Sequence, residues 1–153
     1  MSKRSLSILY ILASVILIII GGVIYFSFRS KSLILFRWAD ALYLNSFVEN
    51  LRQSMSIYTP SDFVKYNLPD GLWSLSYVLI ILAIWKSMNR ENIIWFCFMP
   101  IIAMFSEFFQ LFSILPGYFD WRDVMCYTMP LIILITIKKI KLWTKRNCCQ
   151  LVQ

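Results

Sequence analysis

SEFFQLFSILPGYFDWRDVMCY, residues 106–127, decides how this chain is read. It begins inside an apolar run yet sets Glu107 and Gln110 in it, and beyond the Pro116-Gly117 break it adds Asp120, Arg122 and Asp123. A spacing of three puts Glu107 and Gln110 on one helical face, together with Ala103 and Pro100. Asp120, Asp123 and Tyr127 share a face in the same way once a helix begins at the aspartates. Polar groups in such a run need a reason, because the surrounding sequence is that of a protein dissolved in lipid.

Of 153 residues, 59% are hydrophobic and only 15% charged, where a soluble domain has about half and about a quarter. The apolar residues form long blocks rather than stripes. Residues 6–28 carry no charge and follow Lys3 and Arg4. At ~1.5 Å per residue they can cross a hydrocarbon core of roughly 30 Å, and they exceed the apolar core of a signal peptide, about 7–15 residues. A second span, 68–85, is entered through Pro69-Asp70-Gly71 and closed by Lys86. A third, 93–115, follows the polar loop Met88-Asn89-Arg90-Glu91-Asn92. A fourth, 124–137, is short unless it takes in Asp120 to Asp123 and the stems of Lys138, Lys139 and Lys141, which snorkel to the interface, giving a span of about 120–138. Pro100 and Pro130 are expected to kink the third and fourth spans.

Between the first two spans, Leu44, Phe47, Val48 and Leu51 recur at helical spacing among Asn45, Glu49, Asn50 and Arg52. That pattern predicts a helix on the membrane surface or across the bundle. Thr59-Pro60-Ser61-Asp62 reads as a turn opening a short helix. The sequence therefore predicts an all-α, single membrane domain over residues 1–153, with about four transmembrane helices and an interfacial helix between the first two.

The net charge is +7, and the bases flank apolar spans, so anionic lipid headgroups fit as partners and nucleic acid does not. With the N-terminus inside, nine of the bases (Lys3, Arg4, Lys86, Arg90, Lys138, Lys139, Lys141, Lys145 and Arg146) fall on the cytoplasmic side. Six (Arg29, Lys31, Arg37, Arg52, Lys65 and Arg122) fall outside. The positive-inside rule then places both termini in the cytoplasm. No histidine occurs, which excludes serine–histidine and cysteine–histidine catalysis. Cys97 and Cys126 lie in apolar spans and Cys148 and Cys149 pair in the basic tail, without zinc or redox spacing. They read as small apolar residues or reduced thiols, with lipidation of the tail pair as the sharper alternative. No metal or other cofactor is called for.

This topology gathers Asp70, Glu107, Gln110, Asp120, Arg122, Asp123 and Tyr127 at the outer membrane face as a candidate site. Asp70 and Asp120 read as N-caps and Asp123 as the third-position acceptor, where negative charge gains roughly 0.3–1 kcal/mol. Glu107 escapes that account. It lies about two turns inside its span, where a charge costs roughly 2–3 kcal/mol. It should face the bundle interior, protonated or paired, with Arg122 and Gln110 as candidate partners. Either a functional site or an interhelical hydrogen bond would hold it there.

Glu107-x-x-Gln110, the Pro116-Gly117 loop and Phe119-Asp120-Trp121-x-Asp123 together resemble the signature of VanZ-like membrane proteins. Asp70-Gly71-Leu72-Trp73-x-x-x-Tyr77 is similar to the polar-then-aromatic opening of an earlier helix in that family. The resemblance covers residues 67–137. An arginine frequent in the family's loop is absent at Gly117-Tyr118, and Tyr127 and Pro130 stand where an asparagine and a glycine are expected. The resemblance implies a small polytopic protein of the bacterial cytoplasmic membrane, and its namesake is associated with low-level resistance to the glycopeptide teicoplanin.

Three functions remain open at this point. One is an envelope accessory protein whose acidic and amide site recognises a lipid or cell-wall precursor headgroup. Another is a membrane enzyme acting on such a headgroup, with a carboxylate as general base or divalent-cation ligand, although no catalytic residue is assignable. The third is a small transporter or channel component using Glu107 as an ion site. The sequence leaves the oligomeric state open.

Overall fold

The computed structural model describes the backbone of residues 3–115 and 117–150 and the side chains of 4–115 and 117–139. Cys148, Cys149, Lys141, Lys145, Arg146 and Pro116 therefore lie outside the described side chains. All regular structure among the described residues is helical. It comprises α1 (Lys3–Phe28), α2 (Ile34–Ala41), α3 (Asn45–Met55), a π-helical turn (Phe63–Asn67) running into α4 (Leu68–Trp85), α5 (Ile93–Leu111) and α6 (Trp121–Gln150). Three stretches, Arg4–Phe28, Phe63–Trp85 and Ile93–Leu111, are long and apolar enough to cross a membrane by length and composition. The chain is on that measure a membrane protein. Its apolar surface agrees: Ile8, Leu12, Ile16 and Ile19 of α1, and Ile94, Phe98, Ile101 and Phe105 of α5, are exposed.

Lipid tails are as apolar as leucine, so helices in a bilayer associate through close packing and polar contacts rather than through hydrophobic transfer. The seam between α1 and α4 shows the consequence. A Cβ added at Gly21 would lie 2.6 Å from Nε1 of Trp73, so the indole rests on bare backbone and donates to the Ile18 carbonyl at 3.4 Å. Tyr25 lies 5.4 Å from the Trp73 ring and stacks on Phe36 of α2 at 6.0 Å. This aromatic column seats α2 against the end of α1.

The carbonyls at that end of α1 have no further turn to receive them. Arg52 of α3 supplies the donors: Nη1 reaches the carbonyls of Phe26 and Arg29, each at 2.9 Å, while the guanidinium lies over the Phe36 ring. Val48 is buried beside Tyr25, Phe36 and Ala39. An exposed Lys31–Glu49 pair at 2.6 Å ties the same elements, and Lys31's hydrogen bond holds the Glu49 carboxyl below the usual range. The segment between the first two long helices thus holds α2 in addition to the helix expected around residues 44–52, and the short helix expected after Asp62 is the π-helical turn Phe63–Asn67. Phe47 and Leu44 of the apolar face of α3 and its approach are exposed, while Val48 is buried.

Two boundaries also differ from the sequence expectation. α5 stops at Leu111 rather than near residue 115, because Ser113 adopts φ 56°. Its N–H then bonds the Gln110 carbonyl at 2.9 Å and that of Ile114 bonds Phe109 at 2.8 Å, the Schellman closure of a helix end. Asp70 is not an N-cap, because the π-helical turn feeds directly into α4 and places it in the first turn. One turn along α4 from Asp70, the Ser74 hydroxyl donates to the Tyr127 carbonyl of α6 at 3.0 Å. Further along, Val78, Met88 and Phe96 form a buried cluster with Leu131 and Leu134 packed on it.

Gly21→Ala should lower the thermal midpoint in detergent, since the new methyl displaces Trp73. Gly22→Ala should hold or raise it, because nothing lies within 4 Å of a Cβ there and alanine gains up to about 1 kcal/mol in a helix interior. Equal responses from the two variants would refute the close-packed seam.

Candidate functional site

The starts of α4 and α6 and the end of α5 meet at one end of the bundle, and the side chain joining the first two is Asn67. It is 1% exposed. Its amide nitrogen donates to Asp120 Oδ2 at 3.0 Å and to Asp123 Oδ1 at 2.7 Å. An amide NH2 has two hydrogens, so each carboxylate receives one. Asp120 also accepts from the Arg122 backbone N–H at 2.8 Å, the expected N-cap of α6. The Asp120 N–H points back to α5 and meets Glu107 Oε2 at 3.4 Å.

Glu107 is 4% exposed and has no cation within ion-pair distance among the described residues. Its single long hydrogen bond leaves most of its acceptor capacity unspent. The cation paired with a carboxylate here is Arg29, just past α1. Its Nη2 lies 3.3 Å from Asp70 Oδ2 and 3.0 Å from the Tyr66 carbonyl, and the guanidinium sits over the Tyr25 and Tyr66 rings. Arg29 Nε is buried without a hydrogen-bond partner. A cavity of about 160 Å³ opens beside Asp70, walled by Trp73 and Tyr77 of α4, Pro100 and Ala103 of α5 and Tyr127 of α6.

Asp70, Glu107, Asp120 and Asp123 therefore come together, and Tyr127 joins Asp70 at the cavity. Gln110 does not enter the cluster: its side chain lies against Gly117, where a Cβ would stand 2.7 Å from Oε1. Gly117 is also at φ 141°, a conformation that L side chains rarely adopt. Arg122 is exposed and makes no ion pair among the described residues. The expected pairing of Glu107 with Arg122 or Gln110 is replaced by the Asp120 backbone. The reason is helical phase: with Asp120, Asp123 and Tyr127 facing inward, residue 122 is turned away.

Two site residues, Asn67 and Arg29, escaped the sequence reading. Asn67 had a signal, since it precedes Asp70 by three residues at the mouth of the same span. Arg29 had none, because a base after an apolar run is the ordinary flank of a membrane helix. Among the described residues no group of three or more histidine, cysteine, aspartate or glutamate side chains is placed to hold a metal ion. Cys97 and Cys126 are free. Compared with known protein families, with curated proteins and with solved structures, the chain matches none.

Asn67→Ala removes a donor shared by two carboxylates and should destabilise the protein by about 1–3 kcal/mol. Arg122→Ala, which removes an exposed side chain, should stay within about 0.5 kcal/mol. Thermal unfolding in detergent separates the two, and an Asn67→Ala variant as stable as the parent would remove the amide from the centre of the site.

Proposed function

We propose that this chain is a VanZ-like accessory protein of the bacterial cell envelope that binds the polar headgroup of a lipid-linked or cell-wall precursor. Binding takes place at the carboxylate-rich end of the bundle, on the outer face of the cytoplasmic membrane. The observation that carries the reading is Glu107, buried at 4% with one hydrogen bond of 3.4 Å. A buried carboxylate with unspent acceptors is costly in a membrane helix, and its default explanation is a ligand or an ion. Hydroxyl and amide hydrogens of a sugar–peptide headgroup are the donors that such acceptors take. The unpartnered Arg29 Nε offers the complementary donor to a headgroup oxygen. The resemblance to VanZ-like proteins links this role to glycopeptide susceptibility.

In this reading α6 is a fourth crossing, and the segment holding α2 and α3 lies at the outer interface. Lys86, Arg90, Lys138 and Lys139 then face the cytoplasm with both termini. A binding role is favoured over catalysis because the sequence has no histidine and the four carboxylates are divided between Asn67, Arg29 and the Asp120 backbone rather than trained on one point.

The test pairs stability with ligand retention. Glu107→Gln keeps the side-chain shape and removes a buried charge, so its thermal midpoint should match or exceed the parent's. Mass spectrometry of co-purifying lipids and precursors should nevertheless show one species lost by tenfold or more. Unchanged co-purification would make Glu107 structural, and a joint loss of stability and ligand would make it a packing residue.

The orientation has its own check. With Cys97, Cys126, Cys148 and Cys149 replaced, a cysteine at the exposed Ser61 should react with an impermeant maleimide on intact cells. One at the exposed Ser87 should react only after permeabilisation. The opposite pattern would put the carboxylates in the cytoplasm.

A further inference from the structure

The end of the bundle far from the carboxylates carries a cleft of about 390 Å³ between the start of α1, the later turns of α4 and the middle of α6. Leu6, Leu75 and Ile133 are among its walls, and Lys86, Ser87 and Lys138 are at its rim; among the described residues no acidic one lines it. From Leu75 to Lys86 is eleven residues, about 16 Å of helix at 1.5 Å per residue. A hydrocarbon core is roughly 30 Å thick. The cleft is thus as deep as one leaflet, with its two ammonium groups where that leaflet's headgroups lie.

Both lysines are held at the rim by the chain itself. Lys86 takes a left-handed conformation that ends α4, φ 61°, its N–H returning to the Leu82 carbonyl at 2.7 Å. Lys138 donates to the Met88 carbonyl, which fixes the ammonium beside Met88 and leaves two of its three hydrogens for a ligand. An apolar slot one leaflet deep, with two positive charges at its mouth and no negative one in its lining, is complementary to one kind of molecule in a membrane.

We propose that this cleft holds an acyl chain of an acidic phospholipid, whose phosphate sits between Lys86 and Lys138. The proposal is independent of the headgroup site at the other end of the helices and needs only that α1 and α4 lie in the bilayer. Charge near a membrane surface acts at close range, and each lysine should favour an anionic over a zwitterionic lipid about fivefold.

The full chain in detergent is equilibrated with phosphatidylglycerol and phosphatidylcholine of identical acyl chains, and bound lipid is counted by native mass spectrometry. One phosphatidylglycerol should be retained on the monomer in at least fivefold preference. Lys86→Gln with Lys138→Gln should bring the ratio near one. Arg90→Gln with Lys139→Gln, which removes the same net charge outside the cleft, should leave it unchanged. Leu75→Trp, which fills the slot, should lose both lipids, and should that variant misfold, the two charge pairs decide alone. Equal retention of the two lipids by the parent would overturn the proposal. So would equal effects of the two charge pairs, or a dimer without lipid.

Discussion

The polar end of this bundle depends on one amide. Among the described residues Asn67 alone donates a side-chain hydrogen bond to both Asp120 and Asp123, and it stands at the junction of the π-helical turn and α4. Two aspartates one helical turn apart on the same face repel one another, and burial raises the cost of that repulsion. A neutral donor placed between them lowers this cost without bringing in a third charge. It also fixes the start of α6 against the start of α4, so the Asp120 N–H is left aimed at Glu107. The position of Glu107 at the site is thus a consequence of a hydrogen bond it does not make.

The same end is reached independently through α1. Because Gly21 lacks a side chain, Trp73 can lie against the α1 backbone. That contact brings α1 close enough to α4 for Arg29 to reach Asp70. Arg52 then holds the carbonyls of Phe26 and Arg29, so the chain leaving α1 is fixed where the ion pair needs it. A small residue within one helix and a cation on another element together place the site's partly buried cation. Neither touches a carboxylate.

This dependence explains how far the sequence could be read. α4 appears at the residues the apolar run marks, because Pro69 and Lys86 punctuate both ends of it. The end of α5 was harder to place, since Ser113 rather than glycine takes the left-handed position that closes the helix. Tyr43 plays the same part after α2, and that short helix went unread in a segment of mixed polarity. Within the site, Glu107 announced itself by being charged among apolar residues, and Asp120 by its capping spacing. The inward phase of α6 separates Asp123 from Arg122, but it can be seen only once Asn67 is in place. Arg29 beside Asp70 is a pairing across forty-one residues that no local pattern encodes.

In the proposed four-crossing arrangement, α6 imposes one more constraint. Its uncharged stretch, residues 124–137, has fourteen residues, about 21 Å of helix at 1.5 Å per residue, against a core of roughly 30 Å. The bilayer must thin around the protein or the charges at the two ends of α6 must sit below the headgroups, and each ångström of mismatch has a cost. The lysines can reach outward along their own stems; aspartates are too short to do so. Asp120 and Asp123 are therefore the end that remains recessed, which accounts for their dependence on a buried amide in place of water. On the proposed arrangement, a site recessed in this way would be open to a headgroup presented from the lipid side, since such a ligand would already be at the right depth.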